Sequence, residues 1–217
     1  GSQSSRWKKD CQQTARTSGR VVHFRPSWLQ TRSVRVAWRA RRSVRVCCAS
    51  AGFMRLPQGP HHELAIRRTD VSLEGLRHPV ATLEAARVDD VLDAVTEEDH
   101  VYAARLWPSS FVAARTLLRY LATEREAVVC EIGCGPGLPS LAALAAGARS
   151  VIAVDMSPLA LSLVSHAARS YQPSRAPRLT TVQRDLLQQD DEALISCDYL
   201  VAADLLYDIP TAQAVGR

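Results

Sequence analysis

Four carboxylates and three glycines in the second half of this 217-residue chain stand where apolar runs end, and that spacing suits one kind of chemistry. The stretch E-I-G-C-G-P-G, Glu131 to Gly137, follows the run T-E-R-E-A-V-V-C and precedes an apolar helical stretch. That is a strand, a glycine loop and a helix. Gly133, Gly135 and Gly137 leave out side chains where backbone must turn sharply and approach a ligand, as in loops that cradle nucleotides. The loop therefore predicts a nucleoside-bearing cofactor. A dinucleotide fingerprint, G-x-G-x-x-G, would put its third glycine at position 138, which holds Leu138. Glu131, directly before the turn, would repel a diphosphate and welcome a cation. Both details argue against NAD or FAD.

The elements that must position these groups follow in order. S-V-I-A-V-D, residues 150–155, is a β-branched run ending in Asp155, 24 residues after Glu131 and near the offset of about 20 at which nucleotide folds place a ribose-binding acid. Asp155 is expected to take the two ribose hydroxyls. Ser157 and Pro158 read as the cap and first turn of a helix, P-L-A-L-S-L-V-S-H-A-A-R-S, with apolar residues at three- and four-residue spacing. A third strand, L-T-T-V-Q-R-D, ends in Asp185, and a fourth, C-D-Y-L-V-A-A-D at 197–204, is apolar on both faces as a central parallel strand requires. The fourth ends in D-L-L-Y-D. Upstream, Leu106-Trp107-Pro108-Ser109-Ser110 precedes a helical run, F-V-A-A-R-T-L-L-R-Y-L.

The pattern D/E-x-G-x-G-x-G resembles the first motif of class I S-adenosylmethionine-dependent methyltransferases, whose cofactor carries a sulfonium cation and no phosphate. L-W-P-S before the domain and D-x-x-Y, Asp204 with Tyr207, after the fourth strand resemble the seven-strand protein-lysine methyltransferases, some of which act on other protein side chains. The resemblance covers about residues 100–210. It implies an α/β fold, a Rossmann-like sheet with helices on both faces, and S-adenosylmethionine as cofactor. It also implies that Asp185 contacts the adenine amino group, that Trp107 closes over the cofactor, and that Asp204 and Tyr207 serve the acceptor. A lysine, with a solution pKa of about 10.4, must lose a proton before it attacks. A carboxylate can orient the amine and relay that proton, and an aromatic ring can line its channel.

Plainer alternatives exist for each feature. The loop also reads as an ordinary tight strand-to-helix turn, Asp155 and Asp185 as strand-end or capping acids, and Trp107 and Tyr207 as packing residues. Cys134 has no histidine or second cysteine placed to activate it and reads as a small filler. A small-molecule methyltransferase shares the first-half motifs, and a non-catalytic cofactor-binding protein is a third reading.

Charge is unevenly distributed. Residues 1–50 hold 12 of the 27 basic residues and a single acid, Asp10, for a net charge of +11, leaving −6 on the rest. The sequence pI near 9.1 is thus a basic leader on an acidic domain and no sign of a nucleic-acid partner. That leader, rich in Arg and Ser, has the composition of an organelle transit peptide, and V-C-C-A at Val46 to Ala49 is similar to a chloroplast cleavage pattern. A mitochondrial address, a cytoplasmic protein and a basic nucleic-acid-binding arm are the competing readings. The opening Gly-Ser, without a methionine, leads us to expect that the first residue is not the native start. Residues 51–60 read as a linker and 61–105 as an accessory segment, in which E-L-A-I-R-R-T-D-V-S-L suits a strand or hairpin and an acidic stretch at 88–99 a short helix. The methyltransferase-like domain is then 106–217.

No apolar run approaches the ~18–20 residues of a membrane span, and a membrane partner is not expected. The six cysteines form no C-x-x-C pair, so neither zinc nor a disulfide framework is expected; His61 and His62 read as solvated linker. The fourth strand ends 13 residues before the end of the chain, whereas the resemblance implies three more strands. The expectation is a sheet that stops after the fourth strand, as in a fragment, a truncated gene product or a degenerate copy.

Overall fold

In a computed structural model the residues described are 64–87, 101–124, 126–187 and 195–205, with short pieces at 29–30, 45–47 and 54–55 and single positions at 89, 91 and 213. The acidic stretch at 88–99 lies, apart from two positions, outside the described residues.

Two strands, β1 (Ala65–Ser72) and β2 (Val80–Ala85), form an antiparallel hairpin. The turn between them contains Gly75 at a φ of +95°. β1 alternates between core and less buried positions over its last four residues, Thr69 to Ser72, whereas β2 is buried at every position. Short pieces pair with β1 from the leader and the linker: Arg45–Cys47 and Met54–Arg55 both run antiparallel to it.

The rest alternates helix and strand: α1 (Pro108–Leu121), β3 (Val128–Ile132), α2 (Leu138–Ala146), β4 (Ser150–Asp155), α3 (Pro158–Tyr171), β5 (Leu179–Gln183) and β6 (Tyr199–Ala202). Local chemistry explains the boundaries. Pro108 opens α1 and Pro158 opens α3, where a missing N–H costs nothing. The Ser157 side chain caps α3 by accepting from the Ala160 N–H. Gly147, at a φ of +94°, ends α2.

β3, β4, β5 and β6 form one parallel sheet in the order β6-β3-β4-β5. The register aligns their carboxyl ends, with Ala202 opposite Ile132, Ile132 opposite Val154, and Asp155 opposite Gln183. The three helices share one apolar core with Val129, Val151, Ala153 and Val201 on one face of the sheet. On that face α2 is buried almost throughout and packs between α1 and α3, with β2 covering α2 and α3 from outside. Cys130, Ile132 and Val154 point the other way into a smaller apolar cluster with Cys197. This is the α/β, Rossmann-like arrangement that the sequence implies, a parallel sheet flanked by helices, although among the described residues the three α-helices pack on one face and not on both.

The strand order has a consequence. From β3 the chain moves outward through β4 to β5 and then returns to place β6 on the other side of β3. Between β3 and β6 the direction reverses, and in open parallel sheets that crevice at the carboxyl ends is where ligands bind.

Candidate functional site

The loop after β3 occupies that crevice. It is closed by the Cys134 N–H donating to the Val154 carbonyl (3.1 Å) and the Gly137 N–H to the Cys134 carbonyl (2.8 Å). A Cβ on Gly133 would meet Leu205 Cδ1 at 2.6 Å, and one on Gly135 would meet the Ala103 carbonyl oxygen at 3.2 Å. The loop is therefore approached by the residue that follows Asp204 and by the 3-10 turn that precedes Trp107.

Glu131, the last residue but one of β3, is buried on the helix side of the sheet. Its Oε2 accepts from the Ser140 N–H (2.9 Å) and the Ser140 hydroxyl (2.5 Å). Gly137 stands at the N-cap of α2 and has no side chain to offer, so a strand residue does the capping instead. Burial pushes the Glu131 carboxyl up to about 8; the Ser140 bonds oppose that rise and the nearby Asp155 adds to it. Glu131 thus sits beneath the loop as a tie between β3 and α2.

One prediction follows from that burial. The folded chain keeps the Glu131 proton to about pH 8, whereas an unperturbed glutamate releases it near 4.5. Between those values the folded state binds more protons, so stability falls as pH rises, by at most about 1.4 kcal/mol per pH unit for one group. Glu131→Gln carries no charge and should gain on the wild type steadily from pH 5 to pH 8 in urea unfolding. Parallel profiles for the two proteins would show that Glu131 does not titrate in this range.

Asp155, at the carboxyl end of β4, is only 8% exposed. Its Oδ2 accepts from the Gly135 N–H (2.8 Å) and its Oδ1 from the Ser157 N–H (2.9 Å). One carboxylate thus joins the glycine loop to the start of α3. Asp185, two residues past β5, makes a tight turn by accepting from the Leu187 N–H (2.9 Å). Its strand ends at Gln183, earlier than the sequence suggests.

Trp107 is the N-cap of α1, its indole N–H donating to the Tyr102 carbonyl (3.2 Å) while the two rings meet edge to face, centroids 5.8 Å apart. Asp204 is exposed and follows β6 in the left-handed region, at a φ of +54°. Its Oδ2 accepts a short hydrogen bond from the Ser109 hydroxyl. The two segments singled out in the sequence, L-W-P-S and D-x-x-Y, therefore meet through Ser109 and Asp204. Tyr207 lies outside the described residues.

This donor set suits a cationic, phosphate-free nucleoside. The loop offers backbone and no basic side chain, while Asp155, Asp185 and Asp204 stand at or just beyond the carboxyl ends of the strands. Residues 129–215 match the family model of a methyltransferase domain. This stretch is similar to a methyltransferase domain.

The similarity implies S-adenosylmethionine as methyl donor, which would supply, when bound, a methyl group on an already activated sulfonium leaving group. Within this stretch, Asp155 and the backbone of Gly133 to Gly137 would hold the nucleoside, and Asp204 would face an acceptor. The chain is similar to proteins named ribosomal RNA small subunit methyltransferase A. It is 35% identical over 99 residues to those of Mycobacterium bovis and Mycobacterium tuberculosis, and 34% identical over 90 residues to that of Sinorhizobium fredii. These matches cover 44% of the chain and 31% of the mycobacterial proteins, and 42% and 29% in the Sinorhizobium case. The chain thus spans about a third of the length of the curated relatives it matches.

Three positioning residues escape a reading of sequence. Ser140 anchors Glu131 and Ser109 meets Asp204. Glu84, buried in β2, accepts from the Thr69 hydroxyl (2.7 Å) and from the Leu106 N–H (3.3 Å), so the hairpin fixes the segment that carries Trp107. The one signal for Glu84 is a lone acid in an otherwise apolar and small run, V-A-T-L-E-A.

Proposed function

We propose that this chain is an S-adenosylmethionine-dependent methyltransferase acting on a nitrogen of a protein side chain, lysine foremost, in an organelle that its Arg- and Ser-rich leader addresses, the chloroplast. The observation that carries this reading is the Ser109 bond to Asp204 beside the glycine loop. It presents a carboxylate where a cationic amine would be received and relieved of its proton. Charge agrees: residues 51–217 carry a net −6, which disfavours a polyanionic acceptor.

The names of the relatives favour a second reading, transfer to RNA. The two separate in one experiment. The full chain is incubated with tritiated S-adenosylmethionine and either a chloroplast protein extract or purified ribosomal RNA. Label in acid-hydrolysed methyl-lysine supports the first reading; label confined to RNA, or to small molecules, overturns it.

Asp204→Ala should reduce turnover about a hundredfold, within the range for loss of a positioned acid or base, while S-adenosylhomocysteine binds as in the wild type. Calorimetry beside the transfer assay checks this. Loss of binding together with turnover would move Asp204 from the acceptor side to the cofactor side.

A further inference from the structure

We infer that Ser109 is a positioning residue for Asp204, holding its carboxylate so that one oxygen is committed and the other is presented to the acceptor amine; this rests on the function proposed above. Ser109 is the second residue of α1, a position from which a serine ordinarily serves its own helix. Here the N-cap, Trp107, makes no side-chain capping bond, and the Ser109 hydroxyl reaches instead to a residue 95 positions away. The partner is unusual as well. Asp204 is the one non-glycine residue at positive φ among the described residues, a conformation that side chains adopt at a cost and that collects at functional sites.

The geometry explains how that conformation is kept. β6 ends at Ala202, Asp204 follows at a positive φ, and Leu205 seats against Gly133. A hydroxyl donating to Oδ2 pins the carboxylate at the N-terminal end of α1, where a negative charge is favoured. No hydrogen bond joins Oδ1 to a described residue, and Asp204 is exposed. A carboxylate left to rotate would divide its time among orientations. One that is pinned presents the same lone pair at every turnover, which is where positioning acts on rate.

The test uses the full chain, tritiated S-adenosylmethionine and a chloroplast protein extract, with S-adenosylhomocysteine calorimetry as the check on folding. Ser109→Ala should lower kcat about tenfold to a hundredfold with cofactor affinity unchanged. Ser109→Thr, which restores a hydroxyl, should return to within about threefold of the wild type. Against Asp204→Asn, adding Ser109→Ala should change kcat by no more than about twofold, because the two residues act as a unit. Wild-type turnover in Ser109→Ala, failure of threonine to rescue, or full additivity with Asp204→Asn overturns the inference. When Asp204→Ala is inactive and Ser109→Ala is not, this inference alone falls. When Asp204→Ala is fully active, the proposed function falls with it.

Discussion

Asp155→Ala is expected to weaken S-adenosylhomocysteine binding about a hundredfold, roughly 2.7 kcal/mol. The wild-type carboxylate accepts from two backbone N–H groups, that of Gly135 at 2.8 Å and that of Ser157 at 2.9 Å. Hydrogen bonds to a charged group are worth about 1.5–3 kcal/mol each, so truncation frees the loop and, if Asp155 takes the ribose as expected, also removes the acceptor for its hydroxyls. The two causes can be separated. An S-adenosylhomocysteine analogue without ribose hydroxyls should bind the wild type more weakly than the parent ligand, while Asp155→Ala should hardly distinguish the two. Calorimetry on four combinations of protein and ligand measures that coupling. Equal affinity of wild type and Asp155→Ala for the parent ligand would refute the ribose assignment. Equal discrimination by both proteins would leave Asp155 as a tie for the loop and nothing more.

What was legible in the sequence was whatever local chemistry decides. β3, its loop, α2, β4 and α3 are bounded by apolar runs, glycines, prolines and a capping serine, each acting within a few residues, and they lie where those signals put them. The later strands are shorter than their apolar runs. β6 stops at Ala202, and two residues on Asp204 takes a positive φ and meets Ser109, a bond across 95 residues of which the sequence carries no mark. The hairpin was half legible: β1 alternates, but β2 is wholly buried and so shows no period. Glu131 shows the same limit at the site. Its place before the glycines suggests a charge offered to a cation, whereas the structure uses it to cap α2 through Ser140, nine residues on, a role only tertiary contact reveals. Motifs specify which residues gather at the carboxyl ends of the strands. Partners distant in sequence decide what each of them does there.

Gly137→Ala should destabilise the chain by about 3–4 kcal/mol, a large share of the 5–15 kcal/mol that holds a typical domain together. Two separate costs add. Gly137 has a φ of +70°, which costs a residue with a Cβ about 1–2 kcal/mol. The new Cβ would also lie 2.3 Å from Val164 Cγ2 and 2.9 Å from Val164 Cβ. Val164 is fully buried in α3 and, being β-branched in a helix, has essentially one rotamer, so it cannot swing aside. Overpacking of this kind typically costs a further 1–3 kcal/mol. Gly133→Ala is the control. Its φ is similar at +62°, but the obstacle is the far end of the Leu205 side chain, which can rotate away, and the expected cost is about 1–2 kcal/mol. Urea unfolding of both variants, repeated in a Val164→Ala background, resolves the two contributions. In that background the clash with Val164 Cγ2 is removed while the 2.9 Å approach to Cβ and the backbone part remain, so the Gly137→Ala cost should fall towards, and stay above, that of Gly133→Ala. If Gly137→Ala proves the milder of the two, or if Val164→Ala leaves its cost untouched, then α3 does not press on the loop as the geometry requires.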